Sequence, residues 1–121
     1  MTNEKVTVKV IVTGTPEQPI FSFVPEEVVL TQVAGKVTYQ LDDKAGLGLL
    51  FAGAVFPVVD QHPSDIARDI TSFKVKAAGT KLVLKDTNED AGTIGLCLLL
   101  TNNDGQVFKT QDPQVKNEPT K

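Results

Sequence analysis

The chain is poor in the side chains on which metal and nucleophilic chemistry depends: 121 residues include one histidine (His62), one cysteine (Cys97), one methionine (Met1) and no tryptophan. Cupredoxin-type copper needs a cysteine, two histidines and a weak axial methionine. Here Cys97 is followed by Leu98-Leu99-Leu100, where a ligand loop would have to supply histidine. Structural or catalytic zinc of the usual Cys/His kind needs three or four such ligands. Neither set can be assembled, and no metal or other cofactor is expected. A lone cysteine cannot form an internal disulfide, which suits a reducing compartment.

Long apolar runs and blocks of one charge are missing too. The longest apolar stretch, residues 45–59, is broken by glycine and proline and falls short of the roughly 20 residues that cross a bilayer as a helix. No membrane segment is expected. Met1-Thr2-Asn3-Glu4-Lys5 leads directly into a strand-like pattern without the apolar core of a secretory signal, so the expected location is the cytoplasm. Twelve basic residues are scattered among fifteen acidic ones, for a net charge of −3. Without a basic patch to displace counterions from phosphates, nucleic-acid binding is disfavoured.

The remaining catalytic patterns fail on context. His62, Ser64 and Asp65 hold triad residue types, but a triad needs side chains that point at one another. Three neighbours split by Pro63 read instead as a loop histidine and a helix cap, with Ser64 starting a turn over residues 65–69. Cys97 lies among leucines, where burial raises a thiol pKa, and reads as a buried structural cysteine. Gly46-Leu47-Gly48 and Gly53 lack the lysine and hydroxyl residue of a phosphate loop and read as bulges or close approaches in a strand pair. Asp42-Asp43, residues 86–90 and residues 102–104 are oxygen-rich, but none follows the calcium-loop pattern. The strand between the last two would hold them about 25 Å apart, at about 3.3 Å per residue. They read as solvated turns, and the chain is expected not to be an enzyme.

What is present is β-structure. Val6, Val8, Val10 and Val12 alternate with Lys5, Thr7 and Lys9, the period-2 mark of a half-buried strand. Further runs follow at 21–25, 28–30, 37–41, 70–75, 82–84, 93–100 and 107–108. Turn residues separate them, notably at Ala78-Gly79 and Asn102-Asn103-Asp104-Gly105. Seven to nine short strands with at most one helical turn imply an all-β fold, a single β-sandwich spanning residues 1–121. Residues 111–121 form a proline-stiffened extended tail.

That tail, Asp112-Pro113-Gln114-Val115-Lys116-Asn117-Glu118-Pro119, carries two acid-proline pairs six residues apart, each biasing the chain toward extended backbone. It resembles the signature of the DP-EP family, small bacterial β-sandwich proteins, over a stretch running mainly from Gly95 to Pro119. The resemblance implies a sandwich and carries no enzymatic activity with it. Residues 21–25, 28–30 and 34–39 also resemble the N-terminal half of a cupredoxin, where an F-x-F-x-P strand leads through a glycine turn into a V-T-aromatic strand. Immunoglobulin-like and cupredoxin-like Greek-key topologies both remain open.

Two segments are apolar at odd and even positions alike: Leu47, Leu49, Leu50, Phe51, Val55, Phe56, Val58 and Val59, and residues 96–100. A sandwich strand should show one face to water. Either these strands are covered on both sides, or Leu47, Leu49, Phe51, Phe56 and Leu99 form an interface in a homo-oligomer. The expected function is a non-catalytic interaction or self-assembly module with a protein partner. The alternative is a small-ligand or glycan-binding module using Tyr39 or Phe108 as a platform. The tail is expected to dock across a sheet edge, with Asp112 and Glu118 accepting backbone N–H groups and Pro113 and Pro119 blocking further strand addition.

Overall fold

A computed structural model describes residues 4–31, 35–55, 70–88, 92–110 and 114–118. These form eleven strands: β1 (Glu4–Gly14), β2 (Pro19–Val24), β3 (Glu27–Leu30), β4 (Gly35–Asp43), β5 (Leu50–Val55), β6 (Ile70–Lys76), β7 (Lys81–Asp86), β8 (Gly92–Gly95), β9 (Cys97–Thr101), β10 (Val107–Lys109) and β11 (Gln114–Asn117). The one helical element among the described residues is a 3-10 turn at Ala77–Gly79. The protein is an all-β sandwich, as its pattern predicts. The helical turn expected at residues 65–69 lies outside the described residues.

One layer is a five-stranded sheet in the order β2-β1-β4-β7-β6. The other consists of two three-stranded sheets, β10-β9-β5 and β3-β11-β8, joined where β8 runs through Leu96 into β9. The predicted strand over residues 93–100 is thus one path with two sets of neighbours. Pairing is mixed: β1 runs parallel to β4 and β3 parallel to β11, while the remaining pairs are antiparallel. Constant-type immunoglobulin sheets are antiparallel throughout. The two parallel pairs depart from that constant-type arrangement.

Alternation fixes which faces meet. Val8, Val10 and Val12 are fully buried, with Val37 and Tyr39 beside them on β4 and Leu82 and Leu84 on β7. Register lines up Val8 with Tyr39 and Tyr39 with Leu82, so one inward row crosses three strands. Val28, Leu30, Phe51, Ile94, Leu96, Leu98, Leu100 and Val115 meet them from the opposite layer in one continuous core. Burying each such side chain contributes about 1.5–3 kcal/mol. Sheet-to-sheet closure therefore carries most of the fold's stability.

Turns follow the sequence signals. The β9–β10 hairpin is closed by Asn102, whose Oδ1 accepts the N–H groups of Asp104 and Gln106, both at 3.0 Å. Gly105 in the same turn sits at φ +79°, where a Cβ would be strained. Gly46-Leu47-Gly48 is a loop after β4 and not a bulge within a strand pair: the Asp43 carboxylate gathers the N–H groups of Leu47 at 3.0 Å and Gly48 at 2.8 Å. Those bonds occupy both oxygens of an acid from the first calcium candidate. Gly53 does mark an irregularity, since the β5–β9 register shifts between Phe51 and Gly53.

Candidate functional site

The chain changes layers between β2 and β3. β2 is the outer strand of the five-stranded sheet, whereas β3, separated from it by two residues, is the outer strand of the other layer, beside β11. The Val24-Pro25 peptide at this crossing is cis. β3 therefore covers the edge of β11, but nothing among the described residues covers the edge of β10. Between the diverging strands lies a groove of about 880 Å³, bounded by residues 19–23, Glu26 and Glu27 on one side and Phe108, Lys109 and Thr110 on the other.

The groove's floor follows from register. Phe21 pairs with Val12 and Phe23 with Val10, so both rings lie on the inward face of the five-stranded sheet. Phe108 pairs with Leu100 and lies on the inward face of the other layer. All three rings are half-buried against the core and line the groove. Ile20, which lines the groove, and the strand-end residues Val24 and Val107 are more than half exposed, at 57%, 57% and 61%. Thr110 is buried and ties the end of β10 down: its N–H donates to the Leu98 carbonyl at 3.0 Å, and its Oγ1 accepts the Leu98 N–H at 3.0 Å. Glu26, Glu27 and Lys109 are exposed.

A second polar constellation is closed to solvent. Asp86, at the end of β7, accepts the Asn88 N–H at 2.8 Å and the Asn117 side-chain amide at 3.3 Å on the same oxygen. The Asn88 side chain donates to the Leu30 carbonyl at 2.9 Å, and the Glu118 N–H donates to that carbonyl at 2.8 Å. Asp86, Asn88 and Asn117 are each 1% exposed or less. The cluster joins the ends of β3, β7 and β11 across the two layers. It is a structural tether.

The tail does enter the fold, by a different route from the expected one. Gln114–Asn117 lies inside a sheet, paired on one side with β3 and on the other with β8, and Val115 is fully buried. The Glu118 carboxylate pairs with Lys116 at 3.0 Å on the surface. This hydrogen bond, followed by the charges of Glu118 and Glu27, holds the Lys116 ammonium above its usual range. Elsewhere in the chain, the Asp86 and Asp43 carboxylates accept backbone N–H groups. Asp112, Pro113 and Pro119 lie outside the described residues.

The other singled-out residues separate. Leu49 and Phe51 are core, 2% and 4% exposed, so a partner cannot reach them without opening the sandwich. Leu47 packs partly against that core, and Leu99 is half-buried on the outer side of β9. Outward apolar exposure on β5 comes instead from Leu50 and Val55, each 40%. Phe56, His62, Ser64 and Asp65 lie outside the described residues. Cys97 is a free, buried thiol. Among the described residues, no helix is long and apolar enough to cross a membrane.

Tyr39 cannot serve as a binding platform, because it is fully buried. Its hydroxyl has no hydrogen-bond partner among the described residues, and burial pushes its pKa well above the ordinary 10.0. Above pH 10 the unfolded chain loses this proton while the folded chain keeps it. Stability is unaffected by this group below that point and falls by about 1.4 kcal/mol per pH unit above it, until the folded pKa is reached. As the chain's one tyrosine, it gives an unambiguous signal: phenolate absorbance is expected to rise only together with unfolding. A phenolate titrating near pH 10 with the circular dichroism still native would contradict this burial.

A family model described as the DP-EP family matches residues 3–119. The match extends well beyond the C-terminal third that first suggests it. No curated protein is significantly similar to the chain. The chain belongs to the DP-EP family.

Proposed function

We propose that this member of the DP-EP family is a non-catalytic interaction module that holds an extended segment of a partner protein in the groove between β2 and β10. The observation that supports this reading is an aromatic groove flanked by two strand edges with no pairing partner among the described residues. An edge strand presents a row of main-chain donors and acceptors, and an added strand uses them for affinity while pockets for alternate side chains give specificity. The buried single thiol fits a cytoplasmic setting.

The second reading is a small apolar ligand in the same groove, favoured by the three phenylalanines and by a volume within the usual range of small-molecule sites. Backbone amide shifts separate the two. Titration with a panel of ten-residue extended peptides is expected to move the amides of residues 19–24 and 107–110, and Phe108→Ala to weaken the effect. If metabolites move these amides and no peptide does, the site passes to the second reading. Light scattering on the same samples tests the homo-oligomer, which loses Leu49 and Phe51 from its expected interface. A multimer dispersed by Phe108→Lys would make a second copy the groove's occupant.

A further inference from the structure

Resting on the groove reading above, we infer that the segment bound there is a β-strand added to β10, with apolar residues at alternate positions and a lysine or arginine at the end that meets Glu26 and Glu27. Main-chain geometry carries the first half. β9 covers one side of β10, and no described residue pairs with its other side over Val107, Phe108 and Lys109. Further along the same chain, β11 has that side filled by β3. A strand laid on β10 therefore takes, beside β10, the place that β3 holds beside β11, in line with it and interrupted where β2 swings away. Three to four residues fit, about 10–13 Å of strand at about 3.3 Å per residue. Inward side chains of such a strand, at every second position, fall between Phe108 and the Phe21–Phe23 pair.

Charge sets the second half. Glu26 and Glu27 stand where β3 begins, at the end of the open stretch, and Lys109 is the one cation among the groove-lining residues. Two carboxylates against one ammonium leave the site negative. The next cation, Lys116, is paired with Glu118 at 3.0 Å and feels the charge of Glu27 as well, without forming an ion pair with it. None of Glu26, Glu27 and Lys109 forms an ion pair among the described residues, so the acids are available to a cationic partner. A second copy of the chain is a poorer occupant, since it carries the same acidic rim and a net charge of −3. Complementary charge at a rim acts mainly on association rate and partner choice.

The test uses the full chain and capped eight-residue peptides of alternating valine and threonine, with two lysines or two glutamates at one end or the other. The lysine peptides are expected to bind more tightly, by about ten-fold at low salt, with the preference shrinking as salt is added. One of their two orientations should be favoured. Glu26→Lys combined with Glu27→Lys should reverse the charge preference, and both positions are exposed, so the fold is not at stake. N-methylation along the lysine peptide should weaken binding at alternate positions only, because every second N–H of an added strand points at β10. Lysine and glutamate peptides that bind equally to the native chain would overturn the charge assignment and leave the groove reading intact. A flat N-methylation profile would overturn strand addition. Failure of every peptide to move the groove amides at millimolar concentration would overturn the groove reading itself, and with it this inference.

Discussion

Deleting residues 112–121 is expected to abolish the cooperative melting transition, leaving a chain without a defined midpoint in calorimetry or near-ultraviolet circular dichroism. β11 is the middle strand of β3-β11-β8, with four residues in register on each side. Its removal strips Val115 from the core, at about 1.5–3 kcal/mol. It also leaves β3 and β8 with unpaired backbone groups facing a void, and each lost hydrogen bond costs about 0.5–1.5 kcal/mol. The Asn117 amide and the Glu118 N–H vanish from the tether at the same time. A domain of this size is stable by about 5–15 kcal/mol in total, so the sum consumes most or all of it. The point variant Val115→Asp probes the same site without shortening the chain and should lower the midpoint steeply by burying an unpaired charge. A truncated chain that melted cooperatively at the full-length temperature would mean that β3 and β8 close on each other without β11.

That the tail is part of the fold can be read from its prolines and from Val115, but the groups that hold it cannot be picked by charge. Asp112 and Glu118 attract notice because they precede prolines, and Glu118 proves to be a surface residue paired with Lys116. Asn117 carries the buried contact. The signal for it is the period of two: in a strand where Val115 faces the core, residue 117 faces it as well, and an inward asparagine must find partners there. β1 is legible for the same reason in its simplest form, since its outward face is largely polar. β5 is harder, because apolar residues occupy both of its faces. Leu49 and Phe51 point inward while Leu50 and Val55 remain 40% exposed, because the register shift between Phe51 and Gly53 exchanges the faces along the strand, and no sequence pattern marks where that exchange falls.

The groove is invisible in sequence for a different reason. Its sides come from residues 19–27 and 108–110, which no local pattern connects. It exists because β2 and β3, nearly continuous in sequence, belong to different layers. A sandwich whose edge strand stays in one layer would cover β10 and bury Phe108 completely. The same crossing leaves two strand edges without a partner among the described residues, beside a patch of phenylalanine. Edges of this kind invite unwanted pairing unless something guards them. Here the adjacent acidic pair and the short length of β10 limit which strands can add.

Replacing Asp86 by alanine should be the most costly single polar substitution among the described residues, lowering stability by about 3–5 kcal/mol in denaturant unfolding followed by circular dichroism. The carboxylate accepts the Asn88 N–H and the Asn117 amide, and both donors sit where water cannot replace it. Leaving a buried donor unsatisfied costs about 1–3 kcal/mol for each group. Asp86→Asn keeps one acceptor oxygen and should lose less than half as much. Asn117→Ala removes one donor and one tie between the layers, and a double-mutant cycle of Asp86→Ala with Asn117→Ala should show a coupling of about 0.5–3 kcal/mol, as expected for partners in one network. The comparison also separates tether from groove. Phe108→Ala should weaken peptide binding with a smaller effect on stability, because its ring is only half-buried, whereas Asp86→Asn should lower stability and leave peptide affinity unchanged at temperatures where the chain stays folded. An Asp86→Ala loss below about 1 kcal/mol, or a coupling near zero, would mean that Asn88 and Asn117 find other acceptors readily and that the layers are joined at this end by apolar packing alone.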